Sequence, residues 1–199
     1  MKKLFALLLI AVLCLALLAS CGKKEPEPTA SPYLSGLHHV ELVIKDYGTI
    51  SLELDADTAP ISVTNFINLA KAGFYDGLTF HRIISGFMMQ GGGFTEDGLP
   101  KSADNIKGEF AKNGVTNNID HDRGVISMAR ATDFNSASSQ FFIMHKKADH
   151  LDGQYAAFGH VTEGIEIVDE ICENTPVVDA NGSVAPRYRP VIETIRVVD

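Results

Sequence analysis

Positive charge is outnumbered in this chain, and cysteine is scarce. It carries 17 Lys and Arg against 25 Asp and Glu. That deficit disfavours nucleic acid as a partner, because such binding begins with neutralising phosphates. The short Lys146-Lys147 run does not reverse it and reads as a solvated turn. His38, His39, His121, His145, His150 and His160 show no metal-ligand spacing with cysteine or carboxylate, so neither a metal nor another cofactor is expected. Gly91-Gly92-Gly93 lacks the following Lys-Ser/Thr and helix of a phosphate loop, and reads as a tight turn. No Ser/His/Asp arrangement stands out. No repeat occurs, and no second lobe is visible that would close over a small solute.

Cysteine stands at 14, 21 and 172 only. Met1-Lys2-Lys3 is a short positive region, and Leu4 to Leu18 is apolar but too short, with the wrong flanks, to span a membrane. Leu18-Ala19-Ser20-Cys21 resembles a bacterial lipobox. The resemblance implies a signal peptide over 1–20, cleavage before Cys21, and a diacylglyceryl group with palmitate-type chains on the Cys21 thiol. The protein would then be a lipid-anchored bacterial membrane protein with its domain on the extracytoplasmic side. Cleavage removes Lys2 and Lys3, so 15 basic against 25 acidic residues remain, a net charge of −10. Residues 21–36 are rich in proline, charge and small side chains and read as a flexible tether. Residues 37–199 suit one domain. Cys172 is left without a partner, so packing alone must hold the domain. Its neighbours Ile165, Ile167, Val168 and Ile171 mark it as a small buried hydrophobe.

Alternation of Val40, Leu42 and Ile44, then of Ile50, Leu52 and Leu54, around Asp46-Tyr47-Gly48 predicts a hairpin over 39–54. Pro60 opens a helix carrying Val63, Phe66, Ile67 and Ala70, with Gly73 as its stop. Leu78 to Met89 reads as one strand, broken by the glycine triplet. Short strands follow over 124–130, 139–145 and 156–161, the first two separated by a polar loop over 131–138. Thr162 is placed to cap a second helix through Ile165, Val168, Ile171 and Cys172, and Val191 to Val198 closes the chain as a strand. Many short strands with two helices far apart predict a mainly β fold, a closed antiparallel barrel capped by helices.

Three segments carry the chemistry. Phe80 to Thr95 reads F-H-R-I-I-S-G-F-M-M-Q-G-G-G-F-T, Gly124 to Phe142 reads G-V-I-S-M-A-R-A-T-D-F-N-S-A-S-S-Q-F-F, and Leu151 to Gly159 reads L-D-G-Q-Y-A-A-F-G. In this order and at these intervals they resemble the cyclophilins, a family of peptidyl-prolyl cis-trans isomerases, over roughly residues 38–198. The resemblance implies an eight-stranded antiparallel barrel capped by two helices, with no cofactor. Arg82 matches the family's catalytic arginine, and Gln90 beside it is taken with it as the catalytic pair. Phe87, Met88, Phe142 and Leu151 match the pocket for the substrate proline ring. Gln140 matches a second polar group, and Ala129, Arg130 and Ala131 the segment along which the peptide lies. Taken singly, the phenylalanines and Met88 would be plain core. His81 precedes Arg82, but neighbours on a strand face opposite ways, so it points from the site.

Four positions depart from common family residues. His150 stands for a tryptophan that contributes to cyclosporin binding, Tyr155 for a histidine, Arg130 for an asparagine and Gly93 for an aspartate. Arg130 is expected to place a charge beside the groove and to alter preference for residues flanking proline. His150 and Tyr155 remain in the expected substrate-binding set. The implied function is isomerisation of X–Pro bonds in exported proteins, by a monomer acting on unfolded or folding polypeptides. The alternative is a non-catalytic proline-peptide-binding chaperone on the same fold. Arg82 and Gln90 argue against it, since a mere binder needs no donor aimed at a twisted amide.

Overall fold

The computed structural model describes residues 31–199. The signal peptide expected over 1–20, Cys21 and most of the tether lie outside the described residues. Leu34 and Gly36, within the expected tether, are bonded to the domain. Leu34 N–H donates to Thr64 Oγ1 (2.8 Å), and Gly36 N–H donates to Asp57 Oδ1 (2.8 Å).

Eight strands are described: β1 Leu37–Ile44, β2 Gly48–Asp55, β3 Leu78–Ile84, β4 Met88–Thr95, β5 Val125–Met128, β6 Phe141–Met144, β7 Ala157–Glu163 and β8 Ile192–Val197. They form one antiparallel sheet in the order β3-β4-β6-β5-β7-β2-β1-β8. The ends of that order meet. Thr79 bridges Val191, and Gly77 and Phe80 N–H groups donate to the Ile192 and Pro190 carbonyls (2.9 Å each). The barrel therefore closes, by a shorter seam than its other ladders.

Alternation in β1 and β2 sends Val40, Leu42, Ile44, Ile50, Leu52 and Leu54 inward, where all are buried. Helix α1, Pro60–Lys71, lays Phe66 among Tyr75, Phe141 and Phe158, with ring centroids 5.2–5.3 Å away. Buried side chains thus pack the interior. Ala59, at the cap position of α1, has no hydrogen-bonding side chain to offer. The carboxylate of Glu109, only 2% exposed, accepts from the N–H groups of Ile61 and Ser62 and from Ser62 Oγ (2.7–2.9 Å). A remote anion thus satisfies the helix's orphan donors and its positive end. Helix α2, Ile165–Asn174, buries Ile167, Val168, Ile171 and Cys172. Burial pushes the Cys172 thiol up to about 12, so it stays protonated and unreactive at neutral pH.

Three expectations need correction. Leu78 to Met89 is not one strand: it turns at Gly86, where φ is 77°, and returns as β4. The glycine triplet is not a turn but lies inside β4. A Cβ at Gly91 would sit 2.8 Å from the Phe80 ring, and one at Gly93 2.5 Å from Gln140 Nε2. Glycine is required at Gly91 and Gly92, where a Cβ would meet the backbone carbonyls of Thr79 and Ser139 at 2.9 and 2.8 Å, whereas at Gly93 only the flexible Gln140 side chain is in the way. Thr162 lies within β7 and does not cap α2. The cap is Gly164, at φ 81°, where a Cβ would meet the Thr49 carbonyl at 2.6 Å.

Candidate active site

Strict alternation would put Phe80 and Arg82 on one face of β3. They lie on opposite faces because the pairing slips. Phe80 pairs with Gly91 but Arg82 with Gln90, so β3 holds one extra residue at His81. Such a bulge re-aims the side chain that follows it. Phe80 and Ile83 point into the core, while Arg82 points outward beside Met88 and Gln90. The bulged His81 packs on Phe94, with centroids 4.7 Å apart, and does not line the site. Burial, then the charges of Arg189 and Arg82, lower its pKa to about 4.

The Arg82 guanidinium is held at two points. Nε donates to the Asn181 carbonyl (2.9 Å) and Nη1 to Gln90 Oε1 (3.3 Å). Gln90 Nε2 in turn donates to Gln140 Oε1 (2.9 Å), which fixes the Gln90 amide. Asn181 belongs to a loop knotted by Asp179, whose Oδ1 accepts from the Asn181 and Ser183 N–H groups (2.9 and 3.0 Å). Gly182 carbonyl accepts from Ile83 N–H (2.7 Å), pinning the loop to β3. These bonds leave the Nη2 hydrogens of Arg82 without an acceptor among the described residues, at the edge of a cavity.

That cavity has a volume of about 400 Å³ and includes Phe87, Met88, Phe142, His150, Leu151 and Tyr155 in its lining. Its floor is a second apolar cluster, separate from the barrel interior. Phe141 and Ile143 of β6 point inward, while Phe142 and Met144 join Met88, Val125, Ala148, Leu151 and Ala157 on the outer face. Each Phe of the Phe141-Phe142 pair thus serves a different core. Phe87 stacks on His150 (5.7 Å), and Tyr155 meets Phe142 edge-on (5.8 Å). Gln90, Ala129 and Arg130 also line this cavity, and are shared with an adjoining one of about 290 Å³ lined by Ala131, Ser136, Ser138 and Gln140. Ala131 and Gln140 are therefore placed next to the main cavity rather than in it.

Sequence reasoning missed Gln154, Asn181 and His121. Gln154 lines the cavity. Asn181 gives only a carbonyl, for which side-chain identity holds no signal. His121 is 1% exposed and stacks behind Phe142 at 6.0 Å. Its Nδ1 lies 2.9 Å from Asp152 Oδ1 and its Nε2 3.1 Å from Ser127 Oγ. This is a Ser/His/Asp arrangement after all, but Ser127 is fully buried, so no substrate reaches it. The network braces the floor instead. Burial lowers the His121 pKa against the opposing pull of Asp152. For Asp152, burial acts to raise the pKa, but hydrogen bonds from His121 outweigh it and the net shift is downward.

The cyclophilin type peptidyl-prolyl cis-trans isomerase/CLD family model matches residues 39–197. Peptidyl-prolyl cis-trans isomerase A of Dickeya dadantii is 44% identical over 137 residues, covering 66% of this chain and 70% of its own. Peptidyl-prolyl cis-trans isomerase B of Bacillus subtilis is 44% identical over 124 residues, covering 62% of this chain and 83% of its own. A crystal structure of a Cryptosporidium parvum cyclophilin type isomerase, determined in the presence of the dipeptide Ala-Pro, is similar with a TM-score of 0.66. It is 28% identical and spans 81% of this chain and 99% of that one.

Proposed function

The chain belongs to the cyclophilin-type peptidyl-prolyl cis-trans isomerases, and from that membership we propose that Arg82 is its catalytic group, acting on X–Pro bonds whose proline ring sits on Phe142. The observation that carries this reading is the doubly anchored guanidinium over an apolar floor.

Rotation about X–Pro is slow because resonance stiffens the C–N bond, with a barrier of roughly 18–20 kcal/mol. At the twisted midpoint the resonance is lost and the nitrogen regains a lone pair. A fixed N–H donor binds that nitrogen, whereas the planar ground state offers it almost nothing. Binding the midpoint better than either isomer is what accelerates rotation. No proton moves, so a group that stays charged suits the task. Gln90 and Asn181 keep the guanidinium from following the rotating amide. Phe87, Met88, Phe142 and Leu151 grip the ring while the preceding carbonyl swings, and Ala129 to Ala131 run beside the peptide. An acceleration of ~10⁵ requires about 7 kcal/mol. One charge-assisted hydrogen bond in a dry site supplies about 3–4 kcal/mol, and the grip on the ring the remainder.

The test is a protease-coupled cis/trans assay. Arg82→Ala loses about 10²–10³ in kcat/KM while binding a proline peptide within a few-fold of wild type. Near-wild-type turnover would remove Arg82 from the mechanism.

The same reading extends to cellular context. Supported by the lipobox resemblance at Cys21 and the acidic charge, the clients are exported polypeptides met as a lipid-anchored monomer outside the cytoplasm. There, slow uncatalysed prolyl isomerisation limits folding.

A further inference from the structure

We propose that Arg130 is a positioning residue that clamps the wall of the peptide groove, and that it does not select the charge of residues flanking proline. This rests on the isomerase reading above.

Little of the guanidinium is free for substrate. Nε and Nη2 both donate to the Gln154 carbonyl (3.1 and 2.9 Å). Nη1 donates to the carbonyls of Ala131 (2.9 Å) and Thr132 (3.4 Å). Four of the five N–H donors of an arginine are thus committed to backbone. Three rings enclose the group: its central carbon lies 4.6 Å from the Tyr155 centroid, 5.0 Å from Phe134 and 5.1 Å from Phe110.

These partners come from three separate stretches of chain. Phe110 precedes the short 3-10 turn Ala111–Asn113. Ala131, Thr132 and Phe134 belong to the loop between β5 and β6, and Gln154 and Tyr155 follow the turn Asp149–Leu151. Arg130 is the cation that joins them. The geometry needs the planar fork, since a lysine keeps the charge but cannot span three carbonyl groups and three rings together. Tyr155, one ring of the enclosure, also meets Phe142 on the floor. The clamp therefore fixes the distance from the 129–131 wall to the ring-binding floor.

The experiment compares full-length wild type, Arg130→Lys, Arg130→Ala and Phe134→Leu on tetrapeptides with Glu, Ala or Lys before proline. All three variants are expected to lose about 5- to 30-fold in kcat/KM, chiefly through KM. The ratio of Glu to Lys substrates stays within about twofold of wild type throughout, far below the tenfold of a 1.4 kcal/mol interaction. Amide exchange over 131–136 and 150–155 accelerates in each variant. Wild-type kinetics in Arg130→Lys, or a shifted Glu/Lys ratio in Arg130→Ala, would overturn the clamp in favour of a charge contact. Should Arg130→Ala fail to fold, Arg130→Lys and Phe134→Leu decide, because both keep the charge: a loss in both supports the clamp, and wild-type kinetics in both overturns it in favour of a charge contact. If wild type itself does not isomerise, the isomerase reading fails, while unchanged amide exchange is the separate result that rejects the clamp.

Discussion

At the scale of single residues, chemistry follows from environment more than from identity. Seven histidines look alike in the sequence, but two of them sit where protonation is resisted. His81 is lowered to about 4 by burial and by the charges of Arg189 and Arg82, and its buried Nδ1 has no hydrogen-bond partner among the described residues. His121 is lowered mainly by burial. In the unfolded chain both take up a proton near pH 6.5. Between that pH and about 4 the unfolded state therefore binds more protons, so stability falls as the solution is acidified through that window. His81→Leu should flatten this slope, sparing on the order of 2 kcal/mol at pH 4.5 relative to wild type. Urea melts at pH 7.5 and 4.5 measure it; parallel losses in both proteins would show that His81 is not the group responsible.

At the scale of elements, irregularity builds the site. The bulge at His81 turns Arg82 outward, and the glycines of β4 let Phe80 and Gln140 approach the strand. Neither was legible in a pattern that assumes regular pairing. The loop through Asn181 acts from about a hundred residues further along the chain, since Arg82 Nε reaches its carbonyl at a separation of 99 residues. Asp179→Ala unties that loop, frees the guanidinium, and should lower kcat about 5- to 20-fold with KM little changed. A change confined to KM would count against this role. The α1 cap is similarly remote. Glu109→Ala leaves three donors without their acceptor, a cost of about 2–4 kcal/mol and roughly 5–15 °C in Tm. A thermal scan with the isomerase assay checks it; a Tm within a degree or two of wild type would exclude the cap.

At the scale of the whole molecule, two apolar clusters stand back to back on one sheet. The larger packs the barrel interior; the smaller lies outside and supports the groove. Every residue of β5 and β6 is buried for this reason, and the period-2 signal that reveals a half-exposed strand is missing there. The proposed lipid anchor is tested at this scale too. Cys21→Ser should abolish incorporation of labelled palmitate and release the protein to the soluble fraction, with the isomerase activity unchanged. Continued membrane association of that variant would exclude the lipid anchor.

Local pattern alone determined the strands of the first hairpin, both helices and the burial of Cys172, because each depends on side chains a few positions apart. The motifs likewise identified most of the residues that line the cavity, Gln154 excepted, since their types and intervals survive in one dimension. Tertiary structure alone decided which way each side chain faces and what holds it. The turn of Arg82, its carbonyl anchor, the Glu109 cap, the His121 brace and the enclosure of Arg130 all arise from slipped register or from backbone atoms far along the chain. A backbone carbonyl is the same in every residue, so only the folded path tells which one a guanidinium will find.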